Sequence, residues 1–234
     1  LPDNAIAALS RALARVQEFR MPVVLNPTTR EYFNGLATTE TDATLRRAMT
    51  TVGTATDPAA IERAADVLSR DPIYSATLRT GIAITMIDGG IRSNVIPSDA
   101  TATLNVRTVP DGDIAEVVRA LTRVGAEPAV TFATRAAQRQ APPASPLTSA
   151  LFQAMERAGQ AMAPGTTVVP FMSTGGTDGA LLRANGIPTY GILPLPLYEE
   201  DELRMHGDNE RTPVASIGWA TEFLFRTLAS VAAK

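Results

Sequence analysis

Apolar residues recur along the chain at two spacings, and the switches between them divide it into elements. From Asn4 onward the spacing is helical: Ile6, Leu9, Leu13 and Val16 share a face, with Asp3 or Asn4 as the cap. Residues 20–34 carry Pro22, Pro27 and Asn34-Gly35, lose all periodicity, and read as loop or irregular structure. A weaker helical stretch covers 42–52. Asp57 and Pro58, a cap followed by a first-turn proline, open another helix with Ile61, Ala65 and Leu68 inward.

The period then changes to two. Over 77–87, Leu78, Ile82, Ile84 and Met86 share one parity. Over 99–109, Ala100, Ala102, Leu104 and Val106 face one way, while Thr101, Thr103, Asn105 and Arg107 face the other. The turn-rich "DGGIRSNVIPS" joins the two strands as a hairpin connection. Asp113-x-x-Glu116 is a capping box for a helix with Val117, Leu121 and Val124, closed by Gly125. "AVTFATR", 129–135, reads as a further strand.

That order is a ferredoxin-like β-α-β-β-α-β unit, class α+β, with its first strand missing and expected ahead of Leu1. The helical insertion spans about 20–76. Prolines in "QRQAPPASP", 138–146, mark a domain boundary. Beyond it come a helix capped by Ser145 with Pro146 in its first turn, a strand "TVVPFMS", a helix over 177–185 stopped by Gly186, and a strand "PTYGIL". A long loop over 194–212 precedes a last helix, capped by Thr212, with Val214, Ile217, Leu224, Leu228 and Val231 along one face. Strand–helix–strand points to a parallel α/β sheet, which two strands cannot complete alone.

Composition narrows the class. At 45% hydrophobic and 19% charged residues, the 234-residue chain has the makings of a sizeable core, and disorder is not expected. A net charge of −3 with signs interspersed excludes the basic stripe of a nucleic-acid binder. With no cysteine there is no disulfide, thiolate metal site or cysteine nucleophile. No apolar run is long enough for a membrane span.

Three patches carry polar chemistry. His206, in "RMHGDNERTPV", is the single histidine; by itself a lone loop histidine is an ordinary solvated side chain. "MSTGGTDGALL" runs an apolar strand into glycines and a helix start. There the backbone can approach a ligand, or simply make a tight turn. No Gly-Lys-Ser/Thr follows, so it is not a phosphate-binding P-loop, and Ser173 lacks the G-x-S-x-G context of a nucleophile. Asn94 in the hairpin connection and Arg107 near the end of the next strand form the third patch. An arginine fork suits a carboxylate, and an open sheet face also carries such residues routinely.

Together and in this order, these patches resemble the di-zinc aminoacylase/carboxypeptidase family, which includes carboxypeptidase S, glutamate carboxypeptidase and succinyl-diaminopimelate desuccinylase. "SNVIPSDATATLNVR" resembles its lid motif, and "VPFMSTGGTDGALLRANGIPTYGILP" its substrate-loop segment. "EEDELRMHGDNERTPV" resembles its C-terminal metal-ligand segment, and the opening helix its first lid helix. The resemblance implies a lid/dimerisation domain over 1–137 and the C-terminal part of a zinc-peptidase α/β catalytic domain over 138–234.

By the same resemblance His206 is a zinc ligand. Asn94 and Arg107 reach substrate, often across a dimer interface, and Gly175, Gly176 and Thr177 hold the substrate's carboxylate and backbone. Asp178 orients that loop. No catalytic residue lies within this chain: the general base, the other ligands of the two zinc ions (cobalt or manganese being possible) and the carbonyl-polarising lid histidine belong to a missing N-terminal half. The implied activity is zinc-dependent hydrolysis of peptides or N-acyl amino acids by a homodimer, and the chain alone is expected to be inactive. Two other readings stay open: a catalytically incompetent dimerisation and substrate-binding fragment, and an anion-binding α/β protein built on "STGGTDG".

Overall fold

The computed structural model describes residues 4–110, 112–135, 142–173 and 175–233, and separates into two compact units. One is Leu1–Ala141 with Met172–Thr174; the other is Pro142–Phe171 with Gly175–Lys234. Part of the proline-rich boundary, 138–141, lies outside the described residues.

In the first unit, α1 (Ala5–Glu18) is capped by Asn4, whose side chain accepts from the Ala7 N–H at 3.1 Å. It buries Leu9, Leu13 and Val16 as the spacing requires, with Ala8 and Ala12 filling the gaps between them. Ile6 stays partly exposed and leans on Gly89 and Gly90, where a β-carbon at Gly89 would meet it at 3.2 Å.

The 20–34 expectation is corrected. Helix α2 (Pro27–Thr39) begins there, with Asn26 capping the Thr29 N–H and Pro27 in the first turn. Asn34-Gly35 is no turn: the Asn34 side chain sits against Gly53 of α3 (Ala43–Thr54), at a spot any β-carbon on Gly53 would fill. Helix α4 (Pro58–Leu68) follows as read, burying Ile61, Ala65 and Leu68. A short α5 (Pro72–Leu78) went unread, and Leu78 is its buried end and not a strand residue.

Asp42 caps α3 by accepting from Thr44 and Leu45 N–H at 2.7 and 2.9 Å. Those bonds, the one from Leu45 foremost, hold its carboxyl below the usual aspartate range. A depressed pKa contributes stability above the unfolded value, and that contribution is lost as pH falls through the folded one. Asn caps equally well without titrating. Acidification from about pH 5 to about pH 2 is therefore expected to lower the wild-type melting temperature more than that of Asp42→Asn, followed by circular dichroism.

Strands β1 (Gly81–Gly89) and β2 (Ala100–Arg107) form an antiparallel hairpin. A bulge between Ile84 and Met86 flips the parity of β1, so Met86 leaves the face of Ile82 and Ile84 and is 65% exposed. β2 keeps its predicted alternation, and Leu104 and Val106 pack with Ile82 under α1 and α6 (Ile114–Gly125), around Val16, Val117 and Leu121. Asp113 caps α6 through the Ala115 N–H, but Glu116 turns to Arg119 at 2.7 Å and does not close the box. The left-handed residue that ends α6 is Ala126, not Gly125.

Residues 129–135 form no strand, and neither do "TVVPFMS" (in its described residues) or "PTYGIL". A strand exists only as a ladder, and alternation cannot supply the partner edge.

In the second unit α7 (Ala150–Met162) is capped by Ser149. Ser145, the predicted cap, instead accepts from the Thr189 N–H and donates to its carbonyl, both at 2.8 Å. Helix α8 (Gly179–Ala184) is shorter than read, and α9 (Glu199–Glu202) lies in the predicted long loop. Helix α10 (Val214–Ala232) starts after Pro213 with no Thr212 cap. It packs on α7 through Phe223 and Trp219 against Met155 and Ala158. Its buried residues are Ser216, Phe223 and Thr227, while the predicted stripe faces out, with Val214 at 83% and Leu228 at 61% exposure.

Candidate functional site

Asn94 and Arg107 sit at opposite ends of the hairpin. Asn94 is exposed in the turn that joins β1 to β2, next to the turn bond from Val95 N–H to the Arg92 carbonyl. Arg107 ends β2, opposite Gly81, on the face of Asn105 and Thr103. With a rise of about 3.4 Å per residue, β2 sets Ala100, where the connection ends, roughly 24 Å from Arg107.

Gly175, Gly176 and Thr177 are exposed and lead into α8. A β-carbon on Gly176 would meet nothing, so at this position packing does not demand glycine. Helix α8 has six residues and carries Asp178 at its N-cap without a side-chain cap bond. Helix α8 is short and headed by a carboxylate, so an anion at this turn would be held by loop N–H groups more than by the helix dipole.

His206 is exposed, with φ at +66°, a left-handed backbone that few non-glycine residues adopt. Its N–H donates to Glu210 Oε2 at 3.1 Å, and the following Gly207 N–H donates to the Arg204 carbonyl at 2.9 Å. Upstream, Asp201 is buried to 8% side-chain exposure between Arg204 Nη1 at 3.9 Å and Arg211 Nε at 3.8 Å. The loop thus has an internal frame that the sequence did not declare. The one legible signal was an acid four residues after the histidine.

Replacing Asp201 with alanine leaves Arg204 Nη1, already without a hydrogen bond, beside no counter-charge. A local loss of about 1–2 kcal/mol is expected. Tryptic cleavage at Arg204 and Arg211 should then accelerate roughly five- to thirtyfold. Unchanged cleavage would mean the frame does not hold the loop.

The donor set bears on any metal. An imidazole suits zinc-like ions, but a held ion needs three or four ligands. Among the described residues no group of three or more His, Asp or Glu side chains could hold one. Glu210 is engaged with the His206 N–H and Asp201 lies between arginines. These residues do not make a metal site by themselves. Among them, too, no helix is long and apolar enough to cross a membrane.

Human N-fatty-acyl-amino acid synthase/hydrolase PM20D1 is 29% identical over 163 residues, 69% of this chain and 32% of its own length. A putative succinyl-diaminopimelate desuccinylase DapE from Mycobacterium tuberculosis is 30% identical over 179 residues, covering 72% and 46%. The fold matches that of an M20 family metallo-carboxypeptidase from Sulfolobus solfataricus, with a TM-score of 0.57 at 17% identity over 97% of this chain and 53% of that one. The chain spans about a third to a half of the length of the curated relatives named here. The M20 peptidase dimerisation domain model matches residues 2–133, more than half of the 234. The chain belongs to the M20 peptidase dimerisation domain family.

Proposed function

We propose that this chain is the dimerisation and substrate-contacting portion of a zinc-dependent hydrolase of amide or peptide bonds, and that it has no catalytic competence alone. The observation that carries this reading is the family match over 2–133 together with relatives named as hydrolases, desuccinylases and carboxypeptidases. On this reading 1–137 is the lid, with its helical insertion over about 20–76, and 138–234 belongs to the catalytic domain.

His206 supplies one imidazole to a metal centre whose other ligands belong to an N-terminal catalytic half, on the same polypeptide or a separate one. One imidazole does not choose zinc over cobalt or manganese. Arg107 offers a two-pronged donor to a substrate carboxylate, Asn94 an amide, and the 175–177 backbone further N–H groups. These groups orient an anionic peptide or N-acyl amino acid. The dimerisation-domain match favours a homodimer, in which each protomer lends one of them to a shared site.

The test has two parts. Sedimentation of the purified chain should give a dimer, with no hydrolysis of N-acyl amino acids or dipeptides at any zinc level. The longer polypeptide should hydrolyse one of these substrate types and stop on chelation. A chain that stays monomeric at all concentrations, or that hydrolyses unaided, overturns the reading.

A further inference from the structure

Where the chain enters and leaves the α2–α5 helices, an arginine is buried. Arg79 lies between the end of α5 and the start of β1 and is 9% exposed. Its Nη1 donates to the Met21 carbonyl at 2.9 Å, and its Nη2 meets Asp66 Oδ1 at 3.1 Å and Glu62 Oε2 at 2.7 Å. The other oxygen of Glu62 accepts from the Val23 N–H at 2.9 Å. Backbone joins the same crossing: Val23 and Arg79 form an isolated antiparallel bridge, and the Val24 N–H donates to the Leu78 carbonyl at 3.0 Å. Two carboxylates of α4 and both crossing segments thus close on one guanidinium.

Such a clasp is a poor source of stability. Arg79 Nε is buried without a hydrogen-bond partner among the described residues, and a desolvated ion pair returns little net free energy. What the clasp fixes is position. The next residue, Thr80, is buried, and its Oγ1 accepts from the Val109 N–H at 3.4 Å. Gly81, one further on, pairs with Arg107. Arg107 is therefore bracketed on its own strand, by Val106 paired with Ile82 before it and Val109 tied to Thr80 after it. Met21, whose carbonyl Arg79 holds, belongs to the core cluster on which Ile82 and Val106 pack.

We propose that Arg79 is a positioning residue for Arg107. It anchors the first residues of β1 to the α2–α5 helices, and through them sets the end of β2 that carries Arg107. This role rests on Arg107 being the donor to a substrate carboxylate, as in the proposed function. A strand end without such an anchor frays, and a fork that must meet two oxygens tolerates little displacement.

The first measurement needs no substrate. In this chain Arg79→Met keeps the length of the side chain and loses the cation. It is expected to speed amide hydrogen exchange at 80–82 and 106–109 at least tenfold, on the order of a local opening, and to leave α3 unchanged. Glu62→Ala, at a side chain 40% exposed, should give the same pattern at about threefold, and serves if the methionine variant does not fold. Unchanged exchange at 106–109 overturns the proposal. So does equal acceleration in α3, or loss of the fold in both variants, since either makes Arg79 a general support.

The second measurement uses the longer polypeptide with N-acetyl-leucine or dileucine, whichever it hydrolyses. Arg107→Ala is expected to raise KM about a hundredfold, and Arg79→Met about tenfold with kcat within about twofold. In the Arg107→Ala background, Arg79→Met should add nothing. A merely structural role would lower the active fraction, hence kcat, and would add to Arg107→Ala; that result overturns the proposal. A raised KM in Arg107→Ala beside a wild-type KM in Arg79→Met defeats the positioning role alone. Hydrolysis of neither probe, or an unchanged KM in Arg107→Ala, defeats the reading of Arg107 and the positioning role with it.

Discussion

Replacing Phe33 with alanine is expected to destabilise the first unit by about 4 kcal/mol. Phe33 is 0% exposed on α2, and its ring meets those of Tyr32 and Tyr74 edge-on at centroid distances of 5.1 and 5.7 Å. Truncation removes the transfer energy of a whole ring and leaves a cavity that three helices cannot close without moving. It also forfeits two aromatic contacts of about 0.5–1.5 kcal/mol each beyond area. Phe33→Leu retains much of the volume and should cost about half as much. Urea unfolding followed by far-ultraviolet circular dichroism measures both. At a slope of about 2 kcal/mol/M, the alanine variant should unfold roughly 2 M earlier. A shift under about 0.5 M would mean that the α2–α5 region is not a tightly packed body.

That region is also where the sequence was hardest to read, for a definable reason. Asn26-Pro27 is the same cap-and-proline signal that correctly marked α4 at Asp57-Pro58. Beside Pro22 and Asn34-Gly35, however, Pro27 reads as one more breaker of an irregular segment. Asn34-Gly35 is tolerated mid-helix because Asn34 lies over Gly53 of the next helix, a tertiary contact with no local signature. The cap and first-turn proline of α4 and the alternation of β2 are local, and these were legible.

What depends on a partner was not legible. The segment 129–135 alternates like a strand but has no ladder among the described residues. The stripe along α10 is periodic but faces out, because Phe223 and Trp219 on the adjacent face found α7. The bulge at Thr85 reverses Met86 with no glycine or proline to announce it. The left-handed turn at His206 belongs to geometry alone.

On the proposed function, His206→Ala in the longer polypeptide is expected to lower hydrolysis on the order of a thousandfold, about 4 kcal/mol of barrier. The reasoning starts from the loop. A non-glycine residue at φ +66° carries a backbone cost of roughly 1–2 kcal/mol, which Glu210 and the Gly207–Arg204 turn bond offset. A solvated, idle histidine has no need of that frame, and glycine or asparagine would hold the turn more easily. His206→Asn is therefore the informative companion. It tolerates the left-handed conformation and keeps a polar side chain, but removes the imidazole. If the imidazole is what matters, asparagine should be as inactive as alanine while melting at or above the wild-type temperature, and both variants should retain less zinc after dialysis. If the loop geometry is what matters, asparagine should keep most of the activity and alanine should lose it. Full activity in both variants would return His206 to the surface role that its exposure alone suggests, and would remove this chain from the metal centre.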